Sequence, residues 1–164
     1  MICFEKFNEM IGDLSPLGLM KCGNESKYDC TPENAYVFAG TGVDGIHFCI
    51  VPGKGHEDME LSPVYAVSPM MPDHLVELIA SNFQDFFDVL AACKDAAALE
   101  YIGYSGEETF NKFLGKIEKE LEESPEFNEK VKEAVEKLQA AFGLRKIDNV
   151  YEHVRAAKSR LPVR

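Results

Sequence analysis

The chain has no apolar run that approaches the roughly 20 residues of a membrane span. Its opening, MICFEKFNEMIG, lacks a basic start followed by an apolar stretch, so it does not read as a secretory signal. A cytoplasmic protein with no membrane contact is the expectation. The cysteines lack any pairing pattern: Cys3, Cys22, Cys30, Cys49 and Cys93 form an odd set with no C-x-x-C spacing. Cys49 and Cys93 stand inside apolar runs and read as small core residues, so reduced structural thiols are expected, with a Cys22/Cys30 disulfide or metal pair as the minor alternative.

The motifs of catalysis are missing too. The four histidines, His47, His56, His74 and His153, are dispersed, and no H-x-x-x-H or H-E-x-x-H pair demands a zinc ion. No G-x-S-x-G elbow is present. Gly40-x-Gly42-x-x-Gly45 matches a dinucleotide fingerprint as a string, but a β-prone run, Ile46 to Val51, follows it where that fold needs a helix. No cofactor and no metal are expected. An enzymatic alternative, hydrolytic or metal-dependent, would have to assemble His47, Cys49, His56 and Asp58 from sequence proximity alone.

Basic charge is short in the first part of the chain. The net charge is -11, and residues 1–104 hold 16 acidic against 5 basic side chains, which is also -11; residues 105–164 balance. Such a surface repels phosphate, which disfavours nucleic acid and suits a basic partner, although solubility alone accounts for acidity in many proteins.

What is present is organised around Thr31 to Val51. Two β-prone runs, 35–39 and 46–51, flank Gly40-Thr41-Gly42-Val43-Asp44-Gly45. Glycine supplies the positive φ of a tight reversal, and Asp-Gly is a strong hairpin signal. Alternation places Val37 and Ala39 on one face, Tyr36 and Phe38 on the other, and Ile46, Phe48 and Ile50 on one face of the second strand. Phe38 and Phe48 should meet in the core, with His47 outward or edge-on.

The rest of the chain arranges itself around this hairpin. Phe4, Phe7, Ile11 and Leu14 have helical spacing; residues 13–18 read as a break and residues 20–29 as loop with room for a short strand. Residues 52–60 read as a turn or loop, and Pro63 to Pro69 as a strand closed by prolines. Leu75 to Ala80 is ambiguous by pattern but too short for an independent helix, so it reads as strand. Asn82 caps a helix to about Cys93 that buries Phe83, Phe86, Phe87 and Leu90. Ala96 to Ile102 is a short helical piece. The last third is helical: a stripe of Phe110, Phe113, Leu114, Ile117 and Leu121; a second helix capped by Ser124 with Phe127, Val131, Val135, Leu138 and Phe142 on its face and Gly143 behind it; and a final helix capped by Asp148 or Asn149. The expectation is an α+β fold in one domain, 1–164. A curved antiparallel sheet with the hairpin 35–51 at its centre packs against helices, and 105–164 form a helical C-terminal extension.

These residues carry a resemblance. Thr31-Pro32-Glu33-Asn34 and Val37-Phe38-Ala39-Gly40-Thr41-Gly42-Val43-Asp44-Gly45-Ile46-His47-Phe48 look like the core signature of the SUKH superfamily, bacterial proteins similar to the yeast Smi/Knr-type regulator of cell-wall synthesis. Pro63 to Met70 and Ala80 to Leu90, with Asn82-Phe83-Gln84-Asp85-Phe86, extend the likeness, which covers residues 31–102. The family's longer helical lead-in is short here and lacks tryptophan, and Val43 stands where a second glycine is frequent. The resemblance implies an α+β fold without catalysis and, in many members, a toxin-neutralising immunity protein; others look like interaction modules. The expected function is therefore a non-catalytic protein-binding module, with a basic toxin domain as partner, or alternatively a regulatory scaffold. The acidic loop residues Glu57, Asp58 and Glu60, with Asp44 and Asp73, are the expected partner-binding surface.

Overall fold

A computed structural model describes residues 2–53 and 58–161, apart from the side chain of Ile2. Five strands form one antiparallel meander in chain order: β1 (Met20–Lys21), β2 (Tyr36–Gly40), β3 (His47–Ile50), β4 (Val64–Val67) and β5 (Val76–Ala80). Among the described residues six α-helices accompany it: α1 (Ile2–Met10), α2 (Phe83–Cys93), α3 (Ala96–Tyr101), α4 (Glu107–Glu123), α5 (Pro125–Phe142) and α6 (Val150–Arg160). This is the expected α+β fold, with helix concentrated in the C-terminal part. The expected break at 13–18 is a 3-10 helix, Ile11–Leu17, which tolerates Pro16 and is closed by Gly18 at φ 72°.

The helices bury one face of the sheet. Phe38, Phe48, Ile50, Val64, Ala66, Ile79 and Ala80 share a core with residues of every α-helix, those of α4 to α6 included. Helix α2 lies at the centre of this core. Asn82 caps it, its side chain accepting the Asp85 amide at 2.9 Å. Phe86 meets Phe38 edge-on at 5.0 Å between ring centroids and Phe48 at 5.4 Å. Phe83 stacks on Phe4 at 4.3 Å, and Phe87 on Phe142 at 4.2 Å. Such aromatic pairs add specific geometry to area burial.

Three details depart from expectation. Ala39 packs in the main core with Phe38 and not with Val37, because a register shift between Val37 and Ala39 interrupts the alternation. Phe127, expected on the buried face of α5, is 44% exposed; it sits in the first turn, ahead of the buried Val131, Ala134 and Leu138. Ser124 ends α4 and begins α5 without a side-chain capping bond, so Pro125 at the start of α5 is the stronger signal there.

The hairpin turn follows the glycine signal. Ile46 N–H donates to the Val43 carbonyl at 3.0 Å, and the two residues between, Asp44 and Gly45, have φ of 51° and 71°. Both signs are those of the turn type favoured between right-twisted strands. Gly45 is doubly constrained: a Cβ there would lie 2.6 Å from the Tyr28 ring carbon Cζ. Gly45→Val should therefore exceed the roughly 1–3 kcal/mol of backbone strain alone, because Tyr28 must also move. Gly45→Ala in a Tyr28→Ala background should recover part of the loss in a urea titration.

Candidate functional site at the hairpin end of the sheet

The meander sorts the loops into two groups. The β2–β3 turn, the β4–β5 loop and the start of β1 lie at one end, because Met20 pairs with Gly40, Gly40 with His47, and His47 with Val67. The β3–β4 connection and the β5–α2 junction lie at the other. Asp44 and Asp73 are exposed and share the hairpin end. Asp58 and Glu60 belong to the opposite end. Glu57 and His56 lie outside the described residues.

The two residues at the opposite end are engaged locally. Asp58 caps the short 3-10 helix Met59–Leu61 by accepting the Glu60 amide at 3.0 Å. Glu60 accepts the Cys3 amide at 3.1 Å, which ties the loop to the start of α1. Burial pushes the Glu60 carboxyl up, but hydrogen bonds from the first turn of the chain outweigh it, so its pKa lies below the ordinary value. Beside it, Cys3, Glu60, Leu61, Asn82, Phe83 and Phe142 line a shallow pocket of about 150 Å³. Burial and the Glu60 carboxylate both raise the Cys3 thiol, which makes it a poor nucleophile.

The hairpin end looks different. Six large apolar side chains are well exposed among the described residues, and four of them gather here: Met20 at 54%, Tyr28 at 49%, Val43 at 58% and Met70 at 70%. Met20 lies against Gly42, and Tyr28 against Gly45. Val43 sits at the tip, and Met70 follows β4 in the Ser68-Pro69-Met70-Met71-Pro72 loop. Asp44 and Asp73 are interleaved with them in the same loops. Exposed apolar groups rimmed by charge are the surface signature of an interaction site.

Polar groups back this end. Glu100 is 8% exposed and accepts the Tyr104 hydroxyl at 3.1 Å. Burial raises its pKa; hydrogen bonds from Ser68 and Tyr104 oppose that, and the field of Asp44 adds to it. Glu77 receives His74 at 2.9 Å and Lys158 at 2.9 Å. Burial pushes the Glu77 carboxyl up, but these two partners outweigh it and hold it below its ordinary value. The second of these bonds fastens α6 to β5, and Lys158 also donates to the Gly103 carbonyl at 2.9 Å.

His47 is the clearest correction. It is 1% exposed, not outward. The strand alternation is as expected, with Phe48 and Ile50 toward the helices and His47 and Cys49 on the opposite face. That second face is also covered: residues 22–35 fold across it, where Ala35, Cys22 and Cys30 pack with Val37, Cys49 and Val67. Thr31 Oγ1 lies 2.9 Å from His47 Nε2, the Gly45 carbonyl 2.8 Å from Nδ1, and the Tyr28 ring stacks at 5.9 Å. Burial pushes the Cys49 thiol up to about 12, with Lys27 pulling weakly the other way, so it stays protonated beside this histidine. Among the described residues, no group of three or more His, Cys, Asp or Glu side chains is placed to hold a metal ion, and no helix is long and apolar enough to cross a membrane. No family model, curated protein or solved structure matches the chain.

Proposed function

We propose that the protein is a non-catalytic binding module that docks a basic protein through the hairpin end of its sheet, in the manner of a cytoplasmic toxin-neutralising immunity protein. The observation that supports this most is the gathering of Met20, Tyr28, Val43 and Met70 at one end, with Asp44 and Asp73 among them. Apolar anchors supply affinity once water is excluded, and the carboxylates steer and select a positive partner. The excess of 16 acidic over 5 basic side chains in residues 1–104 adds a field of the same sign. The likeness of residues 31–102 to the SUKH signature supports the same reading.

The test uses the product of the neighbouring gene as the partner. Val43→Ser with Met70→Ser should weaken binding by about tenfold or more, as removal of roughly 1.4 kcal/mol or more of contact energy requires. Asp44→Lys with Asp73→Lys should slow association and weaken its salt dependence. Asp58→Lys, at the opposite end, should change little. Unaltered binding by the hairpin-end variants, with loss in Asp58→Lys, would move the surface to the other end of the sheet.

A further inference from the structure

One imidazole joins the Tyr28–Thr31 turn to the hairpin. The Gly45 carbonyl can only accept, so at 2.8 Å it places the ring proton of His47 on Nδ1. The neutral ring then accepts at Nε2, and the Thr31 hydroxyl donates to it at 2.9 Å. Thr31 Oγ1 in turn accepts the Tyr28 amide at 2.9 Å. The Tyr28 ring closes the arrangement, lying 17° from parallel with the imidazole and against Gly45. Each bond has a direction, and that between Thr31 and His47 is set by the neutral form of the ring.

A second ring proton would point at the Thr31 oxygen and leave the hydroxyl proton without its acceptor. It would also bury a cation. Across the strands His47 faces Gly40 on β2 and Val67 on β4, neither of which is ionisable. The titratable groups on this face are Cys49 on its own strand, Tyr65 opposite it on β4, Cys22 beside Gly40, and Cys30 and Tyr28 from the loop. None is a carboxylate, and among the described residues no Asp or Glu oxygen forms an ion pair with the ring. The field of Lys27, a positive charge, reaches Cys49 on this face.

We propose that His47 is an acid-released latch on the docking surface: protonation of its ring frees the Tyr28–Thr31 segment from the hairpin and weakens binding of a basic partner. The consequence for binding rests on the docking surface assigned above; the latch itself does not. Burial holds the ring's pKa below its ordinary value of 6.5, against a smaller opposite pull from the Gly45 carbonyl. A lowered histidine pKa means that the closed form is fully favoured above 6.5 and loses ground as pH falls below it, toward the pKa of the closed state.

The free protein is examined first, by amide hydrogen exchange corrected for intrinsic rates, alongside NMR titration of the His47 ring. Opening at Tyr28 and Thr31 should rise by up to about tenfold per pH unit below the ordinary histidine value, while α2 amides stay unchanged. His47→Gln, a neutral replacement, should abolish this dependence. If that variant does not fold, the wild type still decides, because exchange at Tyr28 and Thr31 that ignores the ring's titration overturns the latch. With the neighbouring gene's product as probe, affinity should fall over the same pH range in the wild type and stay flat in His47→Gln. A latch that titrates while affinity does not overturns the gating. Failure of the docking surface shows separately, as hairpin-end variants that bind normally at neutral pH.

Discussion

Truncating Phe48 to alanine should remove about 3–5 kcal/mol of stability, a large share of what a domain of this size has. The ring is fully buried and sits against Phe86, in the layer where the sheet meets α2. Close-packed neighbours cannot collapse into the space, because Phe86 is itself held by Phe38 and Phe87. A urea titration should show a lowered midpoint at unchanged slope. His47→Ala is the informative comparison. An outward histidine would cost under about 1 kcal/mol, as surface positions do. Buried between Thr31 and Gly45, its loss leaves a hydroxyl and a carbonyl short of a partner, which sets the cost nearer 2–3 kcal/mol. The smaller effect should still belong to His47, since the cavity it leaves lies under a loop and not beneath the central helix.

The difference between Phe48 and His47 also marks what the sequence can and cannot disclose. Period-two alternation places the two side chains on opposite faces, and the structure agrees. Alternation does not say whether the second face meets water. That depends on residues 22–35 crossing it, and they carry no periodic pattern, only Gly23, Asn24, Ser26 and Pro32. Ala39 shows the converse limit. A single bulge breaks alternation, and nothing in Val37-Phe38-Ala39 announces it. Capping chemistry transfers better, because it is local: Asn82, Asn149 and Gly143 each act where their residue types indicate.

The candidate site was legible only in part. Asp44 and Asp73 are acidic residues in evident turns, and both are exposed. Their separation from Asp58 and Glu60 follows from the order of the strands, which no local signal reveals. Val43 and Met70 could have been noticed. Val43 is β-branched at the tip of a glycine turn and Met70 directly follows Pro69 in a loop, and both are left in solvent. Tyr28 could not have been found in this way, since its position depends on the buried face of His47.

The second large effect is expected where α2 meets the α5–α6 connection. Asp88 has a side chain only 1% exposed, yet carries a carboxylate. It is held by Arg145, whose Nε donates at 2.7 Å and whose backbone amide donates at 2.9 Å, and by Gln84 at 3.2 Å. One turn earlier, Asp85 accepts the Ser81 amide at 2.8 Å and His153 Nε2 at 2.6 Å. Two carboxylates on one face of a buried helix are thus satisfied by Ser81 just before it, by Gln84 within it, and by groups from the α5–α6 connection and from α6. Arg145→Ala removes the guanidinium that faces Asp88 and leaves it the residue 145 backbone amide and Gln84 as donors. Breaking a buried pair costs about 3–5 kcal/mol in general, and the 64% exposure of Arg145 sets this one at the lower end. Asp88→Asn in the Arg145→Ala background should restore much of the loss, because the uncompensated charge is gone and the amide can still accept from the Arg145 backbone. A double-mutant cycle by urea denaturation measures the coupling directly. Additive losses from the two substitutions would mean that the aspartate is stabilised by its backbone and glutamine donors alone, and that the arginine merely covers it.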